Sequence, residues 1–338
     1  MKLIKTTEAI GHVLCHDLTQ IIPYEYKGAR FRKGHIVTEE DIPVLLSMGK
    51  ENLYIWEKDE NMLHENESAD ILSKICKGEN ISRSDVKEGK IELYAEIDGL
   101  FRVDKDKLFS LNSVDELMIA TRKSDTLVRK GDKLAGTRVI PLVIKKEKLD
   151  EAEKIAGDAP ILSVLPLKLK TAAIITTGSE VFHGRIEDKF TPILTEKLKG
   201  YGIEVVSHQK TDDNIEHIKE AIDKVREQVD IVLCTGGMSV DPDDNTPGAI
   251  KATGADIVTY GAPVLPGAMF LLGYYDDGTP ILGLPGCVMY AKATIFDLVM
   301  PRIAAGIKLS KRDFVEYGEG GLCLGCESCH YPNCGFGK

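Results

Sequence analysis

The second half of the chain alternates between short apolar runs and amphipathic stretches. Four apolar runs predict buried β-strands, at 171–176, 203–207, 230–235 and 280–284. Between two of these runs, apolar side chains recur at helical spacing, at Ile215, Ile218, Ile222, Val225 and Val229. Further helices are predicted near 191–200 and over 288–305. Strands that are separated by helices predict a parallel sheet with helical crossovers.

The first half follows a different pattern. Short apolar runs at 91–97, 118–121 and 139–144 are interrupted by glycine turns, which indicates a β-rich region. Before it, strands are predicted at 31–37 and 52–56, and a helix at 38–48 that Thr38 caps. A charged helix is predicted at 148–156. Residues 57–85 are polar and predict a linker, with a helical patch around Leu72.

These changes of pattern divide the chain into four predicted parts. They are a mixed α/β segment (1–60), a linker and β-rich domain (61–165), an α/β domain (166–309) and a cysteine-rich tail (310–338). The net charge of −10, from 43 Lys+Arg and 53 Asp+Glu, argues against a nucleic-acid partner. The sequence has no apolar run of about 18 residues and no signal-peptide core at its start, so we expect a cytoplasmic protein without a membrane partner.

Three of the predicted strands end in glycine-containing turns. The turns are Thr177-Gly178-Ser179, Thr235-Gly236-Gly237-Met238-Ser239 and Leu284-Pro285-Gly286. In open α/β sheets, ligands bind beyond the carboxyl ends of the strands, and successive backbone N–H groups can hold an anion. The turns therefore predict a crevice for a phosphate or a pterin phosphate. The alternative is that they are tight connections without a ligand.

Carboxylates follow two of the predicted strands. Asp244 lies in the acidic segment after the Gly-Gly turn, and Asp212 lies beside Asp213. Mg²⁺ commonly takes one or two carboxylates together with phosphate oxygens, so Asp244 and Asp212 are candidate ligands. Alternatively, Asp213 caps the following helix through a capping box with Glu216, and Asn245 or Thr246 caps the helix that begins at Pro247. The sequence contains neither a P-loop nor a G-x-G-x-x-G motif, and His183 stands alone.

The tail concentrates four of the eight cysteines. Cys323, Cys326, Cys329 and Cys334 lie within twelve residues, with His330 among them. In a reducing compartment such a density of thiols predicts a metal site rather than disulfides. The spacing is similar to that of a bacterial ferredoxin run, but the last gap is one residue longer, and compact cysteine knuckles also bind zinc. An iron–sulfur cluster and zinc both stay open, as does a tail of redox-active thiols without metal.

Residues from about 170 to 306 resemble the molybdopterin-binding domain shared by the MoeA and gephyrin-E molybdenum-insertion enzymes and the MoaB and Mog adenylyltransferases. The residues that carry the resemblance are Thr177-Gly178-Ser179-Glu180-Val181, Asp212-Asp213, Thr235-Gly236-Gly237-Met238-Ser239-Val240 and Gly283-Leu284-Pro285-Gly286. Phe31-Arg32-Lys33-Gly34 is similar to the start of MoeA-type proteins.

The resemblance implies a three-layer α/β/α domain that binds molybdopterin through its phosphate end. It implies either adenylylation of molybdopterin with MgATP or Mg²⁺-dependent insertion of molybdate into adenylyl-molybdopterin with release of AMP, and the second is our first choice. The sequence does not distinguish molybdate from tungstate. It also implies a homo-oligomer whose partners are cofactor-assembly proteins or a recipient molybdoenzyme. The implied catalytic residues are Asp244, which also binds Mg²⁺, and Asp212, for which the neighbouring Asp213 is the alternative match. The implied pterin-binding residues are Thr177, Gly178, Ser179, Glu180, Thr235, Gly236, Gly237, Ser239, Pro285 and Gly286.

The sequence departs from the MoeA pattern at three places. Lys189-Phe190 follows Asp188 where the pattern has Ser-Asn, Ala268 replaces a lysine, and Cys287-Val288 replaces Asn-Pro. The lost lysine is a residue type suited to an oxyanion. Two alternatives therefore stay open beside molybdate insertion: a non-catalytic protein that binds or carries the cofactor, and a Mog-like adenylyltransferase.

Overall fold

The computed structural model describes residues 2–22, 24–55 and 61–338. The chain forms two compact units. The first comprises Met1–Glu96, Arg102–Arg122 and Lys130–Val164, and the second comprises Ile97–Phe101, Lys123–Arg129 and Leu165–Lys338. Within the described ranges, the structure contains no helix that is both long and apolar enough to cross a bilayer.

Up to residue 166 the chain forms thirteen described strands and four described α-helices. The strands are β1 (Lys2–Lys5), β2 (Leu18–Ile22), β3 (Tyr26–Phe31), β4 (Asn52–Ile55), β5 (Met62–His64), β6 (Ile81–Arg83), β7 (Lys90–Ala95), β8 (Gly99–Val103), β9 (Leu117–Thr121), β10 (Thr126–Val128), β11 (Lys133–Val139), β12 (Val143–Lys145) and β13 (Leu162–Pro166). The helices are α1 (Asp41–Ser47), α2 (Glu65–Cys76), α3 (Lys105–Asn112) and α4 (Lys146–Ala156). The main sheet of the first unit is antiparallel, in the order β6-β7-β11-β9.

Two predictions near the start of the chain are wrong in position. The strand expected at 31–37 lies earlier, as β3, because residues 32–35 form a turn in which His35 N donates to Arg32 O and Gly34 has φ +88°. The helix expected from Thr38 begins at Asp41. Thr38 lies in the preceding turn, where its N–H and its hydroxyl both donate to the Asp41 carboxylate at 2.8 Å.

The interpretation of residues 57–85 as a linker is wrong for α2. Ala69, Leu72 and Cys76 are fully buried, so this helix is part of the core of the first unit. His64 caps α2, since its Nδ1 accepts from Asn66 N at 3.2 Å. Residues 56–60, including the end of the strand predicted at 52–56, lie outside the described residues. Helix α3, which Asp104 caps, interrupts the stretch that was predicted as β-rich.

The second unit is built on a six-stranded sheet. After residue 166 the strands are β14 (Thr171–Thr177), β15 (Glu204–Thr211), β16 (Ile231–Thr235), β17 (Asp256–Tyr260), β18 (Leu271–Tyr274) and β19 (Pro280–Leu284). The helices are α5 (Ser179–Phe182), α6 (Phe190–Lys199), α7 (Ile215–Val225), α8 (Thr246–Ala252), α9 (Ile295–Ala304) and α10 (Lys311–Val315). The sheet order is β15-β14-β16-β19-β18-β17.

The sheet is mixed rather than fully parallel. Strands β14, β15, β16 and β19 are parallel, as predicted, but β18 runs antiparallel to both β19 and β17. The sequence analysis missed both β17 and β18. The positions of β17 are partly exposed and do not form one continuous apolar run, whereas β18 is a short strand whose four residues are all buried. The four strands that end in or beside the candidate site are all parallel, so their carboxyl ends lie along one edge of the sheet.

Helices cover both faces of this sheet, which confirms the three-layer α/β/α architecture. On β14, Ala172 and Ile174 pack into one core, while Ala173 and Ile175 pack into the other. The first core includes apolar side chains of α6 and α9, and the second includes those of α7 and α8. Strand residues that are buried on both faces explain why the apolar runs are continuous.

Two helix boundaries in this unit differ from the prediction. The helix expected over 288–305 begins only at Ile295, because Gly286–Met289 forms a 3₁₀ turn and Thr294 starts α9 through a capping box with Asp297. The cap of α7 is Asn214, whose Oδ1 accepts from Glu216 N at 2.9 Å. The capping box predicted for Asp213 and Glu216 is therefore wrong, and Asp213 has another role.

Candidate functional site

The first two glycine turns are joined by buried threonine hydroxyls. Thr177 Oγ1, at the end of β14, donates to Thr235 O at 3.2 Å and lies 3.0 Å from Thr246 Oγ1. Thr246, the first residue of α8, donates its hydroxyl to Gly236 O at 2.8 Å. These three threonines are almost fully buried. The carboxyl ends of β14 and β16 and the start of α8 therefore form one connected unit.

Gly236 is required at this junction by steric contact and by backbone conformation. Its φ is +86°, and a Cβ built on it would lie 2.2 Å from Thr177 O. Gly237 follows with φ +54°, and a Cβ there would lie 2.9 Å from Thr246 Oγ1. Non-glycine residues rarely adopt such φ values, and neither position has room for a side chain. The Gly-Gly pair thus lets two strand ends approach closely.

Asp213 connects the first glycine turn to the acidic segment. Its carboxylate accepts the backbone N–H of Ser179 at 2.8 Å, at the start of α5. Its backbone oxygen accepts from Asn245 Nδ2 at 2.9 Å. The structure therefore brings together the Asp212-Asp213 pair, the Thr177-Gly178-Ser179 turn and the segment that carries Asp244. It also means that the Ser179 amide, predicted to bind ligand, already has a carboxylate acceptor.

Asp244 lies on a short turn between the Gly-Gly pair and α8. Its backbone N–H donates to Asp241 O at 2.9 Å, and its carboxylate accepts from Asp241 N at 3.2 Å. Tyr260, from β17, donates its hydroxyl to Met238 O at 2.9 Å and to Ser239 O at 3.3 Å. Burial, and then the negative charge of Asp244, raise the pKa of Tyr260, which places the phenol near that carboxylate.

Asp212 is paired with a histidine that the sequence analysis did not single out. His217, on the first turn of α7, has its Nδ1 2.9 Å from Asp212 Oδ1. The hydrogen bond with His217 lowers the pKa of Asp212, and the charge of His183 acts in the same direction. Both carboxylate candidates therefore lie in this region, but Asp212 already has an imidazole partner. The spacing of Asp212 and His217 across a helix start is the signal that could have revealed it.

A second group that the sequence analysis missed lies behind the first turn. The Asp188 carboxylate accepts the hydroxyls of Thr191 at 2.6 Å and Thr176 at 3.1 Å, and His208 Nε2 lies 3.1 Å from it. Burial raises the pKa of Asp188, but its hydrogen bonds outweigh burial and hold the pKa below its usual value. Burial lowers the pKa of His208 despite the neighbouring carboxylate. Asp188 thus fixes the start of α6 against β14 and β15.

The third glycine turn lies beside the second and is more open. Thr235 and Leu284 are register partners, so Pro285 and Gly286 follow from the strand next to the Gly-Gly pair. A Cβ built on Gly286 would meet no atom within 4 Å, in contrast to Gly236. Glu180 folds back toward the first turn, since its carboxylate lies 3.1 Å from the position of a Cβ on Gly178. The three turns therefore share one edge of the sheet.

The carboxylates in this region suit a metal ion that binds together with a phosphate ligand. They suit less well a metal ion that protein side chains alone would hold. No three His, Cys, Asp or Glu side chains of the described residues are arranged to hold one metal ion. Mg²⁺ keeps several waters and usually takes only one or two protein carboxylates beside phosphate oxygens. Asp244 and Asp212 lie on segments that the hydrogen bond from Asn245 to Asp213 joins, and their carboxylates are the candidates for this smaller set of ligands.

Comparisons with known proteins assign parts of the chain to families. Residues 173–305 match a family model described as a probable molybdopterin binding domain, and residues 3–57 match a domain of unknown function (DUF8806). The match over residues 173–305 spans the three glycine turns, Asp212 and Asp244. Residues 173–305 are a molybdopterin-binding domain of this family.

Two curated relatives resemble part of the chain. A molybdopterin molybdenumtransferase of Staphylococcus epidermidis is 31% identical over 123 residues, which are 34% of this chain and 29% of that protein. A putative competence-damage inducible protein of Bacillus cereus is 35% identical over 89 residues, which are 26% of this chain and 22% of that protein. The chain thus spans less than a third of the length of either relative.

Two solved structures also resemble part of the chain. The protein CinA of Thermoplasma acidophilum is 19% identical, with a TM-score of 0.35, and covers 40% of this chain and 98% of its own. The molybdopterin biosynthesis enzyme MoaB of Thermus thermophilus is 22% identical, with a TM-score of 0.32, and covers 41% of this chain and 98% of its own.

The departures noted in the sequence have defined places in the molybdopterin-binding domain. Ala268 lies in the connection between β17 and β18, where its backbone oxygen accepts from Ala262 N at 2.9 Å. Phe190 is the first residue of α6, and its N–H donates to Asp188 Oδ1 at 2.9 Å. Cys287 lies in the 3₁₀ turn after Pro285 and is half-buried. The tail cysteines are all unpaired, and they line a separate cavity.

Proposed function

We propose that this crevice binds molybdopterin through its phosphate end and that the chain inserts molybdate into adenylyl-molybdopterin with release of AMP. The observation that carries the proposal is the junction of Thr177, Gly236 and Thr246, with the Asp244 turn directly after it. This junction brings backbone that can approach a phosphate next to a carboxylate that can bind Mg²⁺.

The chain's own residues would act mainly by positioning the ligand. Backbone at Gly286 would approach the phosphate, because the space around this glycine is open. The Gly236-Gly237 pair would hold the neighbouring strand end beside it. Holding reactants in one geometry removes much of the entropic cost of a bimolecular step. Asp213 would fix the first turn by its bond to Ser179 N, so the ligand would meet a turn that is already ordered.

Asp244 and Asp212 would hold Mg²⁺ near the phosphoanhydride of the adenylylated pterin. When bound, the metal would neutralise negative charge on the phosphate oxygens. His217 would keep Asp212 ionised and oriented, since its Nδ1 lies 2.9 Å and 3.1 Å from the two oxygens of that carboxylate. Tyr260 would hold the backbone of Met238 and Ser239 in place beside Asp244.

A specific observation favours a second candidate, a non-catalytic molybdopterin-binding or carrier protein. Ala268 provides no cation in the β17–β18 connection, where the resemblance implies a lysine. A site that lacks this charge would still bind the pterin phosphate through backbone groups. It would stabilise a developing negative charge less well.

One experiment distinguishes these functions. The purified full chain is incubated with adenylyl-molybdopterin, Mg²⁺ and molybdate, while pterin binding and AMP release are measured in parallel. AMP release that requires molybdate supports the transferase. Tight binding without AMP release would support the carrier, and absence of binding would contradict both. A parallel incubation with molybdopterin and MgATP tests the Mog-like reaction, in which the chain would consume ATP.

A further inference from the structure

The tail is anchored to the molybdopterin-binding domain before its cysteines. Leu265, in the connection between β17 and β18, donates its N–H to Gly321 O at 2.8 Å, and its own oxygen accepts Cys323 N at 2.8 Å. Leu265 and Leu322 form a parallel bridge. The backbone that leads into the first cysteine is therefore paired with the domain.

The tail is anchored again at the end of its cysteine run. Tyr331 donates its hydroxyl to Asp297 O, in α9, at 2.9 Å. Phe336 is only 5% exposed and packs against Tyr331 with ring centroids 6.2 Å apart. Gly337 N donates to Gly320 O at 2.8 Å and closes the tail on itself. Residues 323–334, which we call the cysteine loop, thus span two fixed points.

All four cysteines of this loop line one cavity of about 450 Å³. The domain contributes Pro266, Ala291 and Ala293 to the wall, and the tail adds apolar side chains such as Leu322 and Tyr331. Cys323 and Cys334 are half-buried, whereas Cys326 and Cys329 are exposed at its mouth. Four thiols thus surround a volume that their own side chains do not fill.

The charges of the lining suit an anionic occupant. None of the described residues that line the cavity is acidic, and Lys292 and His330 are among them. A metal centre bound by four thiolates carries a net negative charge, so a nearby lysine stabilises it. Apolar walls also limit access of water to metal–sulfur bonds.

The size of the cavity favours a cluster over a single ion. Zinc bound by four thiolates has Zn–S bonds of about 2.3 Å, so the four sulfurs converge on one point. A four-iron cluster instead needs its thiolates spread around a volume, with one at each iron. A cavity of about 450 Å³ that is lined by all four cysteines has room for such a cluster.

We propose that Cys323, Cys326, Cys329 and Cys334 bind one [4Fe–4S] cluster in this cavity. Each thiol releases its proton to solvent as its sulfur bonds to one iron of a preformed cluster. The thiols displace the four ligands that carried the cluster, and its oxidation state does not change in this transfer. The cluster would lie against Ala291 and Ala293, five and seven residues after Gly286 in the crevice.

Anaerobic reconstitution of the full chain with iron and sulfide tests the proposal. We expect about four irons and about four acid-labile sulfides per chain, with visible absorption that bleaches on reduction. The double variant Cys326→Ser/Cys329→Ser should lose most of both. Ser328→Ala, at an exposed residue between these cysteines, is the matched control and should keep the full complement.

The outcomes that would overturn the cluster are distinct from those for pterin binding. One tightly bound zinc per chain, no bound metal, or a full iron content in the double variant would each contradict it. Because Cys326 and Cys329 are exposed, the double variant should keep the thermal midpoint of the metal-free protein, which verifies that it folds. Pterin binding is measured separately, so either proposal can fail alone.

Discussion

The Asp213 carboxylate accepts the backbone N–H of Ser179 at 2.8 Å and thereby ties the end of β15 to the turn after β14. The contact joins residues that are 34 positions apart. It replaces the helix-capping role that the sequence suggested for Asp213, which Asn214 performs instead. The first turn of the crevice is therefore ordered by a side chain from the loop that follows the neighbouring strand β15.

Replacing Asp213 should separate hydrogen bonding from charge. Asp213→Ala leaves the partly buried Ser179 N–H without its acceptor, which typically costs about 1–3 kcal/mol of stability. Asp213→Asn keeps an acceptor oxygen and should lose less than half as much. Thermal unfolding and pterin titration measure both effects. If Asp213→Asn lost as much stability and pterin affinity as Asp213→Ala, the role of Asp213 would be its charge.

Gly236→Ala should be far more harmful than alanine at another glycine with the same backbone angle. Gly236 has φ +86° and a Cβ would meet Thr177 O at 2.2 Å, whereas Gly254 has φ +87° and open space around it. Conformational strain alone costs about 1–2 kcal/mol, and overpacking adds about 1–3 kcal/mol. Thermal denaturation of the two variants measures the difference. Equal losses would mean that the close approach to Thr177 is unimportant.

Asp244→Asn should preserve the fold and keep pterin affinity within a few-fold, while turnover falls about 10²-fold or more. The two side chains are nearly isosteric, so the turn bond from Asp241 N survives, but the negative charge for Mg²⁺ is lost. Rates of AMP release give the comparison. Asp243→Asn is the matched control, because Asp243 is an exposed neighbour in the same turn. Equal turnover in wild type and Asp244→Asn would remove Asp244 from the mechanism.

Stability should decrease as the pH falls below the ordinary histidine pKa of about 6.5. Burial lowers the pKa of His208, although Asp188 opposes this and Lys210 assists it, so the folded state binds a proton less readily than the unfolded state. The stabilisation is therefore complete above about pH 6.5 and is lost as the pH falls through the lower folded pKa.

Thermal midpoints between pH 8 and pH 5 test this dependence. His208→Gln should flatten the curve, while His183→Gln, at an exposed histidine, should leave it unchanged. If both variants kept the wild-type dependence of the thermal midpoint on pH, the effect would belong to other histidines. His16 and His64 are candidates, because burial also lowers their pKa values. Asp188 adds a further loss at lower pH, because its folded pKa lies below that of an ordinary carboxyl.

The strands of the molybdopterin-binding domain could be predicted because they are buried on both faces. Continuous apolar runs marked β14, β16 and β19 to within a residue or two. The glycine turns could be located because they directly follow these apolar runs in the sequence. The edge strand β17 was missed because partial exposure breaks its apolar run. Its neighbour β18 is buried throughout, but it is only four residues long and runs antiparallel to both β17 and β19.

Other features depended on tertiary contacts that a pattern does not contain. Helix α2 lies in a polar segment, and its burial at Leu72 arises from packing rather than from composition. The His208–Asp188 pair joins residues 20 positions apart, and no motif in the sequence indicates that the two are in contact. The Asp213–Ser179 bond likewise required the strand ends to be placed side by side.

Glycine has two different physical roles in this crevice, and Gly286 shows the one that concerns the ligand. At Gly236 the neighbour that forbids a side chain is the protein itself, whereas around Gly286 the space is open. A methyl group added at Gly286 would therefore occupy open space without disturbing the fold, and it would meet a ligand bound close to the backbone. Loss of affinity along a series from alanine to valine would measure the clearance between backbone and ligand. Binding experiments on these variants alone would thus determine how closely the ligand approaches the backbone at Gly286.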